Sequence, residues 1–171
     1  NPPAGDWSQR LLFVADDADS AGDFAAASEH FIDCFVPEPY KSKSDRVYYL
    51  VTHQTPAEAK AAIIAAISDG RLIVTYTGHS AYTYWAAEQL FHANDIPSLN
   101  NGNKLPIMLP MTCYEGYYHS PQTNQESMGE RIVRAAGRGA VASWSPTGLG
   151  VATAHDFLDQ GFLDALFKDG L

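Results

Sequence analysis

Short apolar runs alternate with stretches of helical period along the chain, and that alternation constrains its fold more than any other feature. Arg10 to Ala15 (RLLFVA) is apolar and ends at Asp16 and Asp17. Ser20 to Phe35 then carries Phe24, Ala27, Phe31 and Phe35 at helical spacing. Arg46 to Val51 (RVYYLV) predicts a second strand. Thr55 and Pro56 follow as the N-cap and first residue of an alanine-rich helix that Gly70 closes. Leu72 to Thr77, Leu105 to Thr112 and Gly139 to Trp144 predict three more strands. A helix from Gln125 to Ala136 precedes the last of these, and another from His155 to Phe167 follows it. Strands that alternate with helices pair in parallel and are covered on both faces. The expected fold is therefore α/β: a three-layer α/β/α sandwich on a mainly parallel sheet. Residues 81–104 have no clean period; within them Trp85 to His92 predicts a short helix and Asn100 to Asn103 a turn.

The 171 residues suit one domain spanning 1–171. A net charge of -9 argues against binding a phosphate backbone, which needs clustered Lys and Arg, and favours a cationic substrate instead. No apolar run is long enough to cross a bilayer, so neither nucleic acid nor membrane is expected as a partner. Two cysteines make neither a disulfide framework nor a metal cluster. Cys34 falls in a helical pattern and is expected in the core. The Asn1-Pro2-Pro3 start reads as that of a processed or excised fragment.

In an open parallel sheet the functional residues gather beyond the carboxyl ends of the strands. The first strand ends at Asp16-Asp17, the third at Gly78-His79-Ser80, the fourth at Cys113-Tyr114-Glu115-Gly116 and the fifth at Trp144 to Gly148. If the third and fourth strands are neighbours, His79 and Cys113 lie side by side. A histidine near a thiol raises its reactive fraction or delivers a proton to a leaving group. A carboxylate from Asp17 would orient the ring. The backbone N–H groups of Ser80 and Cys113 would meet a developing oxyanion. Blander readings stand beside these: a free cysteine often packs as a small hydrophobe, and Asp17 and Asp23 could be loop and helix-start carboxylates. Glu115 and His119 beside Cys113 show none of the usual zinc spacings and no EF-hand loop is present, so no metal site is predicted. Tyr82, Tyr84, Trp85, Tyr117 and Tyr118 read as core and rim packing rather than a stacking platform.

YTGHSAYTYW, with Gly78, His79 and Trp85, followed by MTCYEG with Cys113, resembles the gingipain-type cysteine peptidases, peptidase family C25 of the caspase-like clan. The resemblance runs from Arg10 to Ala154 and takes in Asp16-Asp17, the GER of Gly129 to Arg131 and GAVASWSPTG. It implies a caspase-like sheet of order 2-1-3-4-5 and cleavage of peptide or protein substrates after Arg or Lys. It implies no required cofactor, with calcium an option by analogy, and an extracellular or cell-surface location. Carried across, His79 matches the catalytic histidine and Cys113 the nucleophile. Asp17, or Asp16 beside it, falls where the family has a glutamate supporting the histidine. Asp23 falls near the carboxylate that receives the substrate arginine, and Thr77 and Met111 match pocket-wall positions. Ser80 departs from the glycine usual after the histidine, which places a side chain at the oxyanion turn and leaves turnover open. The gingipains' preceding subdomain and immunoglobulin-like domain find no counterpart here, as in an excised catalytic core. Two rival readings remain: another cysteine hydrolase, against which bulky Tyr114 and Glu115 weigh, and an inactive caspase-like binding domain.

Overall fold

A computed structural model describes residues 3–120 and 126–168. After a 3-10 turn at Asp6–Gln9, β1 (Leu11–Ala15) leads into α1 (Phe24–Phe35), β2 (Asp45–Tyr48) into α2 (Pro56–Asp69), and β3 (Ile73–Thr77) into a small meander. The meander, β4 (Ser80–Ala81), β5 (Tyr84–Trp85) and β6 (Phe91–His92), is antiparallel. A 3-10 helix, Ala93–Ser98, then precedes β7 (Ile107–Met111), α3 (Met128–Arg134), β8 (Ala142–Ser143) and α4 (Ala152–Phe167). The main sheet has the order β2-β1-β3-β7-β8 and is parallel throughout, which is 2-1-3-4-5 when only its own strands are counted.

Period-two alternation sorts the strand residues onto two faces. Leu12, Val14, Val74, Tyr76 and Met108 pack with Ala59, Ile63 and Ile67 of α2 and Ile132 of α3. Leu11, Phe13, Ala15, Ile73, Leu109 and Met111 pack on the other face with Phe24, Phe31 and Ile32 of α1 and Leu163 of α4. Each central strand is buried on both faces, which is why it reads as a continuous apolar run. Helix α2 starts where the sequence predicts, in a capping box between Thr55 and Glu58 with Pro56 in its first turn.

Three expectations need correction. Trp85 to His92 is not a helix: it is β5, a turn and β6, with Ala86 and Gln89 both at φ 58°. Its apolar residues are buried by the hairpin instead, Trp85 stacking on Tyr76 with ring centroids 4.6 Å apart and meeting Phe91 at 5.3 Å. Cys34 is exposed, because α1 buries Phe24, Ala25, Ser28, Phe31 and Ile32 and position 34 falls off that stripe. The helix expected from Gln125 is Met128–Arg134, and Gln125 itself lies outside the described residues, as do Asn1 and Pro2.

The register brings three strand ends level at the carboxyl edge of the sheet. Ala15, Thr77 and Met111 lie side by side across β1, β3 and β7, and Asp16 extends the pairing by one residue through its N–H to the Thr77 carbonyl at 3.0 Å. Beyond Thr77 the chain must turn hard against Asp16. Gly78 does so at φ 153°, where an added Cβ would sit 2.4 Å from the Asp16 Cβ and 2.7 Å from the Tyr76 hydroxyl. Gly78→Ala is therefore expected to lower the unfolding free energy by at least about 2 kcal/mol in urea titration, the scale of a strained and overpacked site. A loss below about 0.5 kcal/mol, as at an unconstrained surface position, would contradict this packing.

Candidate active site

Each carboxyl-terminal strand end delivers one chemical group. Asp16, at the end of β1, is buried, and its Oδ2 accepts the His79 N–H at 3.1 Å while its Oδ1 accepts the Asp17 N–H at 3.0 Å. The Tyr76 hydroxyl donates to the His79 carbonyl at 2.6 Å and lies 3.3 Å from Asp16 Oδ2. Both backbone polar groups of His79 are thus held from below, and its imidazole is left free to face outward. Burial pushes the Asp16 carboxyl up to about 6.

The ring of His79 packs edge-on against Phe24, with centroids 5.6 Å apart, and its Nε2 lies 2.9 Å from Asp19 Oδ2. The carboxylate at the ring is therefore that of Asp19, not of Asp17. The chain leaves β1, bends, and is pinned by the Asp19–Gly22 bridge, which swings Asp19 back over the imidazole. The Ala21 N–H, and then His79, hold the Asp19 carboxyl below its usual range. Asp17 lies with Asp16 and Glu88 in a group of three carboxylates whose oxygens are within 4.8 Å of one another. A cation could be held there, although Asp16 is already engaged by its protein donors.

Cys113 follows β7 and Thr112, whose hydroxyl donates to the Gly78 carbonyl at 2.7 Å and ties the two strand ends together. The Gly150 N–H, just ahead of α4, lies 3.5 Å from the Cys113 sulfur. Tyr114 takes a left-handed φ of 56°, and its N–H donates to the Gly148 carbonyl at 3.0 Å, so the loop after the thiol is fastened to the loop that leads into α4. Such strain in a non-glycine residue persists only where its surroundings impose it. The Ser80 hydroxyl bonds both to the Cys113 carbonyl and, at 3.3 Å, to the Cys113 N–H. The Ala86 N–H donates to the His79 carbonyl, so Ser80 and Trp85 form a non-hydrogen-bonded pair and the Ser80 N–H is outside the hairpin ladder.

A cavity of about 500 Å³ opens over these strand ends. Thr77, His79, Met111 and Cys113 line it together with Phe24, Leu149, Gly150, Val151 and His155. That size suits a side chain or small ligand. Asp23 is not among its lining residues: its side chain caps α1 by accepting the Ala26 N–H at 2.9 Å. Asp19, Gly150 and His155 are the residues that strand-end reasoning did not reach. Asp19 returns by a turn, and the other two come from the last loop and helix, which carry no motif of their own.

Glu115, two residues after the thiol, is fully buried; its Oε2 accepts the Ser145 hydroxyl at 2.8 Å, and its carbonyl accepts the Gly129 N–H at 3.1 Å. Burial pushes its carboxyl from 4.5 up to about 8. The folded state thus favours the protonated form. Its stabilising contribution is complete below pH 4.5 and is lost as pH rises through about 8, where the folded acid must ionise. Glu115→Gln, neutral at every pH, is expected to raise the melting temperature at pH 8 and to flatten its decline between pH 5 and 8. Thermal unfolding followed by circular dichroism checks this, and an unchanged pH slope would contradict it.

These features define a class: a caspase-like α/β sandwich with a thiol and an imidazole at the ends of adjacent parallel strands. The pattern of peptidase family C25 matches residues 1–170, and the chain belongs to that family of cysteine peptidases. No curated protein sequence matches it. Among solved structures it resembles the Arg-specific cysteine proteinase gingipain R (RgpB), with a TM-score of 0.78 and 22% identity over 95% of this chain. It likewise resembles the complex of the Porphyromonas gingivalis RgpB pro- and mature domains, with a TM-score of 0.75 and 22% identity over 94% of this chain. In both cases the chain spans 37% of the length of the matched protein. No helix among the described residues is long and apolar enough to cross a membrane.

Proposed function

We propose that this domain is a cysteine endopeptidase in which Cys113 is the nucleophile, His79 the acid–base and Asp19 the carboxylate that orients the imidazole, with cleavage after Arg or Lys. The observation that carries the reading is that Cys113 and His79, from strands paired in register, open onto one cavity. His79 takes the proton of the Cys113 thiol as the sulfur attacks the substrate carbonyl carbon, and the carbonyl π electrons move to oxygen. The N–H groups of Ser80 and Cys113 serve as donors for that oxyanion. As the oxyanion collapses, the C–N bond breaks and protonated His79 gives its proton to the leaving amine, leaving a thioester on Cys113. Water then attacks the thioester while His79 takes its proton, and cleavage of the C–S bond frees the acid and the thiol. Thr77 and Met111 line the cavity that receives the residue before the cut. Substrates are proteins or peptides, no cofactor takes part in these steps, and the location consistent with the family is extracellular or cell-surface.

Cys113→Ala is expected to abolish hydrolysis of fluorogenic peptides with the fold retained, and His79→Ala to do nearly the same, since members of a catalytic unit act together. Asp19→Asn should lower kcat by about 3- to 10-fold, a modest loss because the Asp19–His79 pair is exposed. Asp17→Asn should leave kcat within about twofold, as for a surface charge without a role in the transition state. Retained activity in Cys113→Ala would remove the nucleophile, and a larger loss in Asp17→Asn than in Asp19→Asn would reverse the carboxylate assignment.

Ser80 bears on rate as well. Its hydroxyl competes for the Cys113 N–H that the oxyanion needs. Ser80→Gly frees that donor and should raise kcat by up to about tenfold, a fraction of the 10²–10³ that a whole oxyanion donor is worth. Stopped-assay kinetics decide this, and a fall in kcat would mean that the hydroxyl positions the thiol loop productively.

A further inference from the structure

His155 lines the cavity and is buried, yet it takes no part in the steps of hydrolysis. Its imidazole lies against the backbone of Gly150. A Cβ added to Gly150 would stand 2.0 Å from the His155 Nε2 and 2.3 Å from its Cε1, and the three nearest atoms beyond the chain neighbours all belong to the ring. The ring thus occupies the space that a side chain at position 150 would take. The residues on either side of Gly150 do not anchor it, since Leu149 is 78% exposed and Val151 65%.

Gly150 in turn faces the thiol. Its N–H lies 3.5 Å from the Cys113 sulfur and its carbonyl oxygen 3.8 Å. A neutral thiol can donate to the carbonyl, whereas a thiolate can only accept, and the N–H is then the group that meets it. The thiolate is the attacking species, so a donor held at the sulfur favours the reactive form. Helix α4 works in the same direction: it begins at Ala152, and the positive end of its dipole favours negative charge nearby.

We infer that His155 is a positioning residue for the nucleophile: its ring fixes the Gly150 peptide so that the Gly150 N–H meets the Cys113 sulfur as it becomes a thiolate. The ring suits this role by staying uncharged. Burial holds it below its ordinary 6.5, with Asp156 opposing in part, so it is neutral near pH 7 and packs without a counter-ion. Two further charged groups lie close by: Asp159, one helical turn along α4 and itself buried, and His30 of α1, which interacts with Asp156. His155 also borders a second, smaller cavity of about 80 Å³ with Pro110, Met111, Trp144, Pro146 and Leu158, which leaves room for a slightly larger ring in its place.

The inference rests on Cys113 as the attacking thiol, and iodoacetamide reads that sulfur without any peptide. Alkylation at pH 7 is followed by mass spectrometry at Cys113 and at exposed Cys34, which serves as the internal reference. His155→Ala should slow labelling of Cys113 relative to Cys34 by about tenfold, the loss expected for one hydrogen bond to a charged group. His155→Phe, which keeps a flat ring on Gly150 without its nitrogens, should recover most of that loss. Gly150→Ala should label as slowly as His155→Ala, and the double variant no more slowly than either, because both changes act through one contact. Circular dichroism checks folding, and should His155→Ala not fold, Gly150→Ala reads the same contact. On fluorogenic peptides kcat should follow the same order. Labelling in this order where no peptide is cleaved would sink the peptidase reading alone. Unchanged Cys113 labelling in both single alanine variants, no recovery in His155→Phe, or additive losses in the double variant overturns the inference.

Discussion

The position of the imidazole depends on one hydrogen bond, from the His79 N–H to the carboxyl group of buried Asp16. It forms because β1 and β3 end level with each other and because Gly78 alone lets the chain turn against Asp16 without a clash. Tyr76 completes the clamp by donating to the His79 carbonyl, and Tyr76 is itself fixed by its stack on Trp85. Burying a carboxylate is costly, as the upward displacement of Asp16 records, and the donors around it offset that cost. A polar network of this kind holds a backbone more narrowly than apolar packing would, because each lost bond strands a buried group.

The thiol is held by a different device. Its sulfur rests against the Gly150 backbone, its own backbone is tied to the Ser80 hydroxyl, and Tyr114 and Gly116 hydrogen-bond to the loop between β8 and α4. Buried Glu115 braces the same loops from within by accepting the Ser145 hydroxyl. The thiol and the imidazole thus lie on neighbouring strand ends, joined by β3–β7 pairing and by the bond from Thr112 to Gly78. The same last segment supplies Leu149, Val151 and His155 to the cavity wall, so positioning of the thiol and shape of the pocket share one element.

Much of this was legible in the residues. Doubly buried strands produce continuous apolar runs, so RLLFVA, LIVTYT and LPIMLPM read as strands, and the sheet order followed from the resemblance carried by His79 and Cys113. Helix α2 was readable to its first residue, because Thr55 and Pro56 form a local start signal, which Glu58 completes in the structure. What was not legible depended on chain reversal or tertiary contact. Trp85 to His92 reads as a short helix, yet the rings of Trp85 and Phe91 are buried by a hairpin whose turn has left-handed φ at Ala86 and Gln89. Asp19 reaches His79 only because the chain doubles back at Gly22, and nothing in DDADSAGD distinguishes the acid that returns from those that do not. Asp159 looks like an ordinary polar position on a helix until the packing of α4 against α1 and β7 buries it.

The central claim is that Cys113 is the thiol that attacks a substrate carbonyl, and the chain contains its own control in Cys34, which is the more exposed of the two. The most direct measurement is to treat the protein with a peptidyl acyloxymethyl ketone ending in arginine and to locate the adduct by tandem mass spectrometry. The account predicts one adduct per chain, on Cys113, with its formation suppressed in His79→Ala. Labelling of Cys34 at an equal or greater rate, or labelling of Cys113 unaffected by the loss of His79, would contradict it.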